Sequence, residues 1–278
     1  MTQFEGNPEF DKLLTGRCDV DLVQLMLDLA ADAYPDLDRM GCLLEIDRLG
    51  VACGDHQASQ PADNIRGRLQ AISRQLYEVE GFHGNSKAYY EPQNSYLNEV
   101  LERRCGIPIS LGILYMAVAA RAGLKMFGVN TPGHFVVGCC SAGDVLFVDP
   151  FTNGDVMHQA ACKRRIEQRI GQKGVLGDEH FRAAAPQEII ARVLRNLKAA
   201  HAMHNRWYAV LGVQQRLAAL LPQIPQERRD LGLVYLRLGQ ATKALPVLQQ
   251  YCDLCGNDQR VALEPSMQAA RRMIAELN

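Results

Sequence analysis

In the stretch PGHFVVGCCSAGDVLFVDPFTNG (132–154), His134 opens one apolar run and Asp149 closes the next. Ser-Ala-Gly-Asp lies between the runs and marks a turn, so the pattern predicts an antiparallel hairpin with the imidazole beside the carboxylate. Such a pair is the base and the orienter of a nucleophile–base–orienter triad. A nucleophile at the N-terminus of a buried helix would complete it, because the partial positive charge there lowers a thiol pKa and holds an oxyanion. Asp149 precedes Pro150 and also suits a cap for the Pro-Phe-Thr-Asn-Gly turn. His134 taken alone also fits a half-buried strand histidine.

The elements that must position this pair are legible on both sides of it. GIPISLGILYMAVAARAGL (106–124) reads as a central buried helix, apolar on nearly every face. Pro108 fits its first turn and Gly123 its end. KMFGV (125–129) reads as a strand. Upstream, amphipathic patterns predict helices over 18–35, 37–49 and 65–79. GVACGDHQASQPADN (50–64) and GFHGNSKAYYEPQNS (81–95) read as loops, and YLNEVLERRCG as a short helix ended by Gly106. CKRRIEQRIGQK (162–173) reads as a helix with a solvated basic face.

From Pro186 the pattern is helical, with stretches at about 187–204, 206–220, 226–238, 241–254 and 264–277. Leu231-Gly232, Tyr235, Gly239, Ala244 and Leu248 carry the spacing of a tetratricopeptide unit. A degenerate earlier copy has His201 and Val210 where Tyr235 and Ala244 stand. Two antiparallel helix pairs, 187–220 and 226–254, with a capping helix at 264–277, are expected. The fold class is α+β. A first domain at 1–182, with a helical N-terminal part and a small antiparallel sheet, precedes a helical region at 183–278.

The formal net charge of −1 over 278 residues argues against a general nucleic-acid grip. The longest apolar run, near ISLGILYMAVAA, falls short of the roughly 18 residues that span a membrane. The polar start MTQFEGNPEFDKLL has no signal-peptide pattern. Nine cysteines at irregular spacing look like reduced thiols, so a cytoplasmic location is expected. Cys252/Cys255 and His201/His204 have metal-ligand spacing, yet both pairs fall on helix faces that need small packing residues. No metal and no cofactor is expected.

The order helix, strand, His strand, Asp strand resembles the papain-like transglutaminase fold, on Ala120-Arg-Ala-Gly-Leu124, His134 and Asp149-Pro150. GFHGN, YLNEVLERRCGIPISLGILYMAVAARAGL, PGHFVV and VDPFTNG, with the helical tail, more closely resemble the bacterial SirB-type family. Its members are transglutaminase-like domains fused to tetratricopeptide helices. The resemblance runs from about residue 20 to the end, and the same domain type occurs in a eukaryotic F-box protein. It implies a papain-like α+β first domain in a cytosolic bacterial protein.

Along such a helix the family's nucleophilic Cys falls on Pro108, with Gly106 matching a Gly two positions before it. Proline has no nucleophile. Cys105, before the helix, and Ser110, in its first turn, are the nearest substitutes. Their structural roles would be a small apolar residue and a hydroxyl bonded to local backbone. Asn94, Tyr96 and Asn98 precede the helix and, with Pro108, are candidates to line a cleft; surface turn chemistry is their other reading. The expected function is a non-catalytic interaction or regulatory protein, a pseudoenzyme whose His134–Asp149 cleft binds a peptide or small ligand. Its helical tail would engage a protein partner. The alternative is a thiol or serine hydrolase or acyltransferase using Cys105 or Ser110, with His134 as base and Asp149 as orienter.

Overall fold

Side-chain caps start the first helices. In the computed structural model, which describes residues 7–57, 61, 64–141 and 143–276, the Asn7 carboxamide oxygen accepts the Phe10 amide at 3.1 Å and opens α1 (Pro8–Leu14). Asp21 does the same for α2 (Leu22–Ala31). α3 (Arg39–Gln57) runs on through Gly50 into the segment expected to be a loop. Burial of Leu49 and Cys53, and the seating of Gly50 against the Arg121 side chain, outweigh the helix-weakening glycines. α4 (Ile65–Ser73) widens at its end into a π-helical turn at 74–79, where the Glu80 amide reaches back to the Gln75 carbonyl.

β1 (His83–Gly84), α5 (Leu97–Arg103) and β2 (Cys105–Gly106) follow, and the two short strands pair in parallel, His83 with Cys105 and Gly84 with Gly106. The expected helix stop at Gly106 is displaced. Arg104 takes the left-handed conformation that ends α5, at φ 55°. Gly106 is needed for space instead, since a Cβ there would stand 2.7 Å from Ser110 Oγ. α6 (Pro108–Arg121) is the buried central helix, started by Pro108 and followed by Gly123 at φ +76°.

β3 (Phe127–Thr131), β4 (His134–Ser141), β5 (Asp144–Asp149) and β6 (Asp155–His158) form one antiparallel sheet in that order. Register pairs Val129 with Val136, Val137 with Val148, and Asp149 with Asp155. Phe135 packs on Gly112 of α6, where any Cβ would press within 2.6 Å of the ring. Val136 and Phe147, in the opposite phase, share a core with Cys162 and Ile166 of α7 (Gln159–Ile170). His134 and Asp149 fall in the phase of Val136 and Phe147.

The chain divides into compact units Met1–Ile189 and Ile190–Asn278, a split that falls inside α8 (Pro186–Met203). The second unit continues with α9 (Trp207–Leu220), α10 (Pro225–Arg237), α11 (Ala241–Leu254) and α12 (Asn257–Ala275). The chain breaks at 221–224 as its two prolines predict. Gly232 of α10 lies against Leu248 of α11. α12 starts at Asn257, earlier than the expected 264, and carries Pro265 within it. Leu263 and Met267 pack with Tyr251 and Cys252 and hold that helix together.

Candidate functional site

The turn after β5 is built around one carboxylate. The Asp149 carbonyl accepts the Thr152 and Gly154 amides at 3.1 and 3.0 Å. Its Oδ1 accepts the Phe151 amide at 3.1 Å and its Oδ2 the Thr152 hydroxyl at 3.0 Å. Asn153 and Gly154 both take left-handed conformations, at φ 51° and 69°. Only glycine fits at 154, because a Cβ would stand 2.5 Å from Ser73 Oγ and from the Tyr77 ring. Ser73 Oγ donates to the Gly154 carbonyl at 2.7 Å and fastens the turn to α4.

Onto this turn the sheet brings His134, whose Nε2 lies 2.9 Å from Asp149 Oδ1, with both side chains only 1% exposed. Burial opposes ionisation of Asp149. The bonds from His134 and Thr152 and the Arg169 charge outweigh it and hold the carboxyl below its usual range. A carboxylate only accepts, so Nε2 carries the proton. The second ring nitrogen, Nδ1, is buried and has no hydrogen-bond partner among the described residues.

Phe151 closes over the pair. Its ring meets the His134 ring edge-on at 6.3 Å and Tyr89 at 6.2 Å, and the Arg169 guanidinium stands 5.0 Å from its centroid. Gly84 leaves room for it, since a Cβ there would come within 2.6 Å of the ring. An aromatic from the same turn thus packs beside the His134 ring where an open cleft was expected. A 760 Å³ cavity does lie nearby, lined by Ser73, Tyr77, His83, Gly154 and Arg165 among others, and neither member of the pair lines it. Sequence reasoning missed Phe151, Tyr89 and Arg169, although GFHGN and VDPF carried two of the contacting positions.

Among the described residues neither candidate nucleophile hydrogen-bonds the imidazole. Ser110 Oγ bonds the Asn94 and Ile107 carbonyl oxygens at 2.6 and 3.1 Å and accepts the Ile107 amide at 3.1 Å. It is a helix-start hydroxyl. Cys105 is buried in β2, and neither its thiol nor Ser110 bonds Nδ1 of His134. Pro108 is buried in the first turn of α6.

The expected cleft residues also have other duties. The Asn94 carboxamide donates to the Ala88 and Tyr89 carbonyls and accepts from Asn85, which ties the 85–94 loop to itself. Tyr96 packs edge-on against Tyr34 at 5.4 Å. Asn98 lines a separate 430 Å³ cavity beside α3. Among the described residues no group of three or more His, Cys, Asp or Glu could hold a metal ion. No helix among them is long and apolar enough to cross a membrane.

Fold and site together define a transglutaminase-like α+β domain followed by tetratricopeptide helices. The family model for the transglutaminase-like superfamily matches residues 42–195, and that for the tetratricopeptide repeat matches 197–274. The chain belongs to the UPF0162 family. The UPF0162 protein of Xylella fastidiosa (strain 9a5c) is 35% identical over 240 residues, covering 84% of this chain and 83% of that protein. That of Vibrio cholerae is 29% identical over 194 residues, covering 69% and 72%. F-box only protein 21 of Mus musculus is 36% identical over 110 residues, which cover 37% of this chain and 18% of that protein. No solved structure matches the chain.

Proposed function

We propose that this chain is a non-catalytic interaction or regulatory protein built on a transglutaminase-like scaffold, with its protein partner engaged through the helical region at 183–278. One observation carries the reading: His134 has its orienting carboxylate, yet its buried Nδ1 hydrogen-bonds no nucleophile among the described residues. Pro108 stands where the family's Cys would, and the Ser110 hydroxyl is committed to backbone. The pair then acts as a strut that fixes the 149–154 turn. A tetratricopeptide region supports protein binding, because stacked helix pairs present extended surfaces. The SirB-type assignment rests on GFHGN, PGHFVV and VDPFTNG, and the nine irregularly spaced cysteines favour a cytoplasmic location.

The unpartnered Nδ1 is also the nitrogen a catalytic base would use, which favours the thiol-hydrolase alternative on that one count. Alkylation of the folded protein across pH, with the modified residues located by mass spectrometry, separates the two. Labelling of Cys105 no faster than that of exposed Cys18 and Cys140, and unaffected by His134→Ala, is expected. Fast labelling with an apparent pKa well below ~8.5, abolished by His134→Ala, would establish a working thiol and end the non-catalytic reading.

A further inference from the structure

One end of the helical region carries positive charge that the chain leaves unmatched. From Ile189 to Gln226, and again from Leu231 to Cys252, the sequence has no Asp or Glu. Arg195 and Lys198 in the first stretch pair with Glu227 and Asp230. Arg206, Arg237 and Lys243 are exposed and form no ion pair with a described residue. α9 begins at Trp207 where α10 ends at Arg237, and the Arg237 guanidinium carbon stands 3.9 Å from the Trp207 ring centroid. That contact puts the α8–α9 and α10–α11 turns at the same end. Lys243, in the first turn of α11, holds its ammonium 5.9 Å from the Tyr235 ring centroid.

A second, independent feature of the same end is apolar. Met203 and Tyr208, on either side of the α8–α9 turn, are 61% and 74% exposed. Met, Tyr, Trp and Arg are the residue types enriched where proteins meet, and Trp, Tyr and Arg carry much of the binding energy there. The turn is held in one shape, with Asn205 left-handed at φ 55° and the Arg206 amide on the His201 carbonyl at 2.9 Å. Stacking on Trp207 positions Arg237, whose guanidinium donates to no described residue, so a fork suited to a carboxylate stands ready. The positive field reaches inward as well: burial, and after it the Arg206 charge, push the His201 pKa down to about 4.

We propose that this end of the helical region docks an acidic segment of a partner polypeptide, with an apolar side chain set among its carboxylates. The carboxylates pair with Arg206, Arg237 and Lys243, and the apolar side chain packs on Met203 and Tyr208. Charge alone would also suit a nucleic acid. A phosphate backbone is gripped through roughly 6–10 contacts, however, whereas these three cations border exposed apolar surface. The docking surface rests on the helical region's proposed role in binding a partner, and it supplies that partner's chemistry.

The test uses the full chain, whose single tryptophan is Trp207, so that its fluorescence reports from the site. Acetyl-Asp-Asp-Leu-Asp-Asp-amide is titrated beside a counterpart with Gly for Leu, another with Lys for every Asp, and dodecathymidylate. The acidic Leu peptide should change the emission saturably, bind more tightly than the other three probes, and weaken as salt is raised. Arg206→Gln combined with Arg237→Gln should weaken it about tenfold, the combined size of two exposed ion pairs. Tyr208→Ser should weaken it too, while Arg164→Gln, at an exposed arginine of α7, should leave it unchanged. No saturable change at millimolar peptide, equal binding of the Leu peptide and either counterpart, or an equal loss in the Arg164 variant would overturn the site. Tighter binding of dodecathymidylate would overturn its assignment to a polypeptide. Failure of the peptide with Cys105 unreactive would remove this surface and leave the non-catalytic reading standing.

Discussion

Asp149 Oδ1 accepts two bonds at once, from Nε2 of His134 at 2.9 Å and from the Phe151 amide at 3.1 Å. The oxygen that orients the imidazole therefore also closes the turn that carries the aromatic cover over it. Pairing and turn capping, two roles that compete for the same aspartate in the sequence, are one arrangement in space.

Removing that carboxylate should be costly. Asp149→Ala leaves a ring N–H, a backbone amide and the Thr152 hydroxyl without their acceptor in a buried place, so a loss of about 3–5 kcal/mol is expected in urea unfolding. Thr152→Val removes the hydroxyl's bond to Asp149 and the exposed one it accepts from Arg169, and should cost about 1 kcal/mol. An Asp149→Ala loss no larger than that of Thr152→Val would mean the pair is no strut.

Acid sensitivity should arise at Glu45 as well as at Asp149. The hydrogen bond from Arg48 pulls the Glu45 pKa from 4.5 to about 2, with burial opposing and Arg104 assisting. A folded value below the unfolded one stabilises fully above about pH 4.5, and that contribution is lost as pH falls toward 2. Glu45→Gln should therefore be less stable than the parent at pH 7, with the gap narrowing between pH 4.5 and 2. Denaturant midpoints at several pH values check this; a gap independent of pH would show that Glu45 contributes through packing alone.

The contact between α6 and the sheet depends on a missing side chain. Gly112→Ala would ordinarily favour the helix by about 1 kcal/mol. Here the new methyl would stand 2.6 Å from the Phe135 ring, which is itself fully buried. Overpacking should win and lower stability by about 1–3 kcal/mol. A thermal unfolding midpoint above that of the parent would contradict the close approach.

Thiol reactivity should follow burial. Cys53 and Cys162 are pushed up to about 12 by desolvation, reinforced by the negative charges of Glu80 and Asp149 respectively. Both should resist alkylation at pH 8 until the protein unfolds, while Cys18 and Cys140 label first. Early modification of Cys162 would show that the α7 core opens readily.

Much of the architecture was readable before any coordinates, and for a local reason. Proline at 108, glycine at 123, the Ser-Ala-Gly-Asp turn and the prolines at 222 and 225 act through their own backbone, so helix starts, the hairpin and the break between helix pairs announce themselves. The tetratricopeptide spacing is legible for the same reason, because each repeat writes its own packing residues. What needed the folded chain were decisions made by distant neighbours. The helix runs past Gly50 because Leu49 and Cys53 are buried, and α5 stops at Arg104 rather than Gly106. Asn94 and Ser110 spend their polar groups on backbone, Asn98 turns to a different cavity, and Phe151 closes what the pattern left open. Types and spacing name the groups that could do chemistry; which of them meet, and what covers them, is set by packing between segments far apart in the chain.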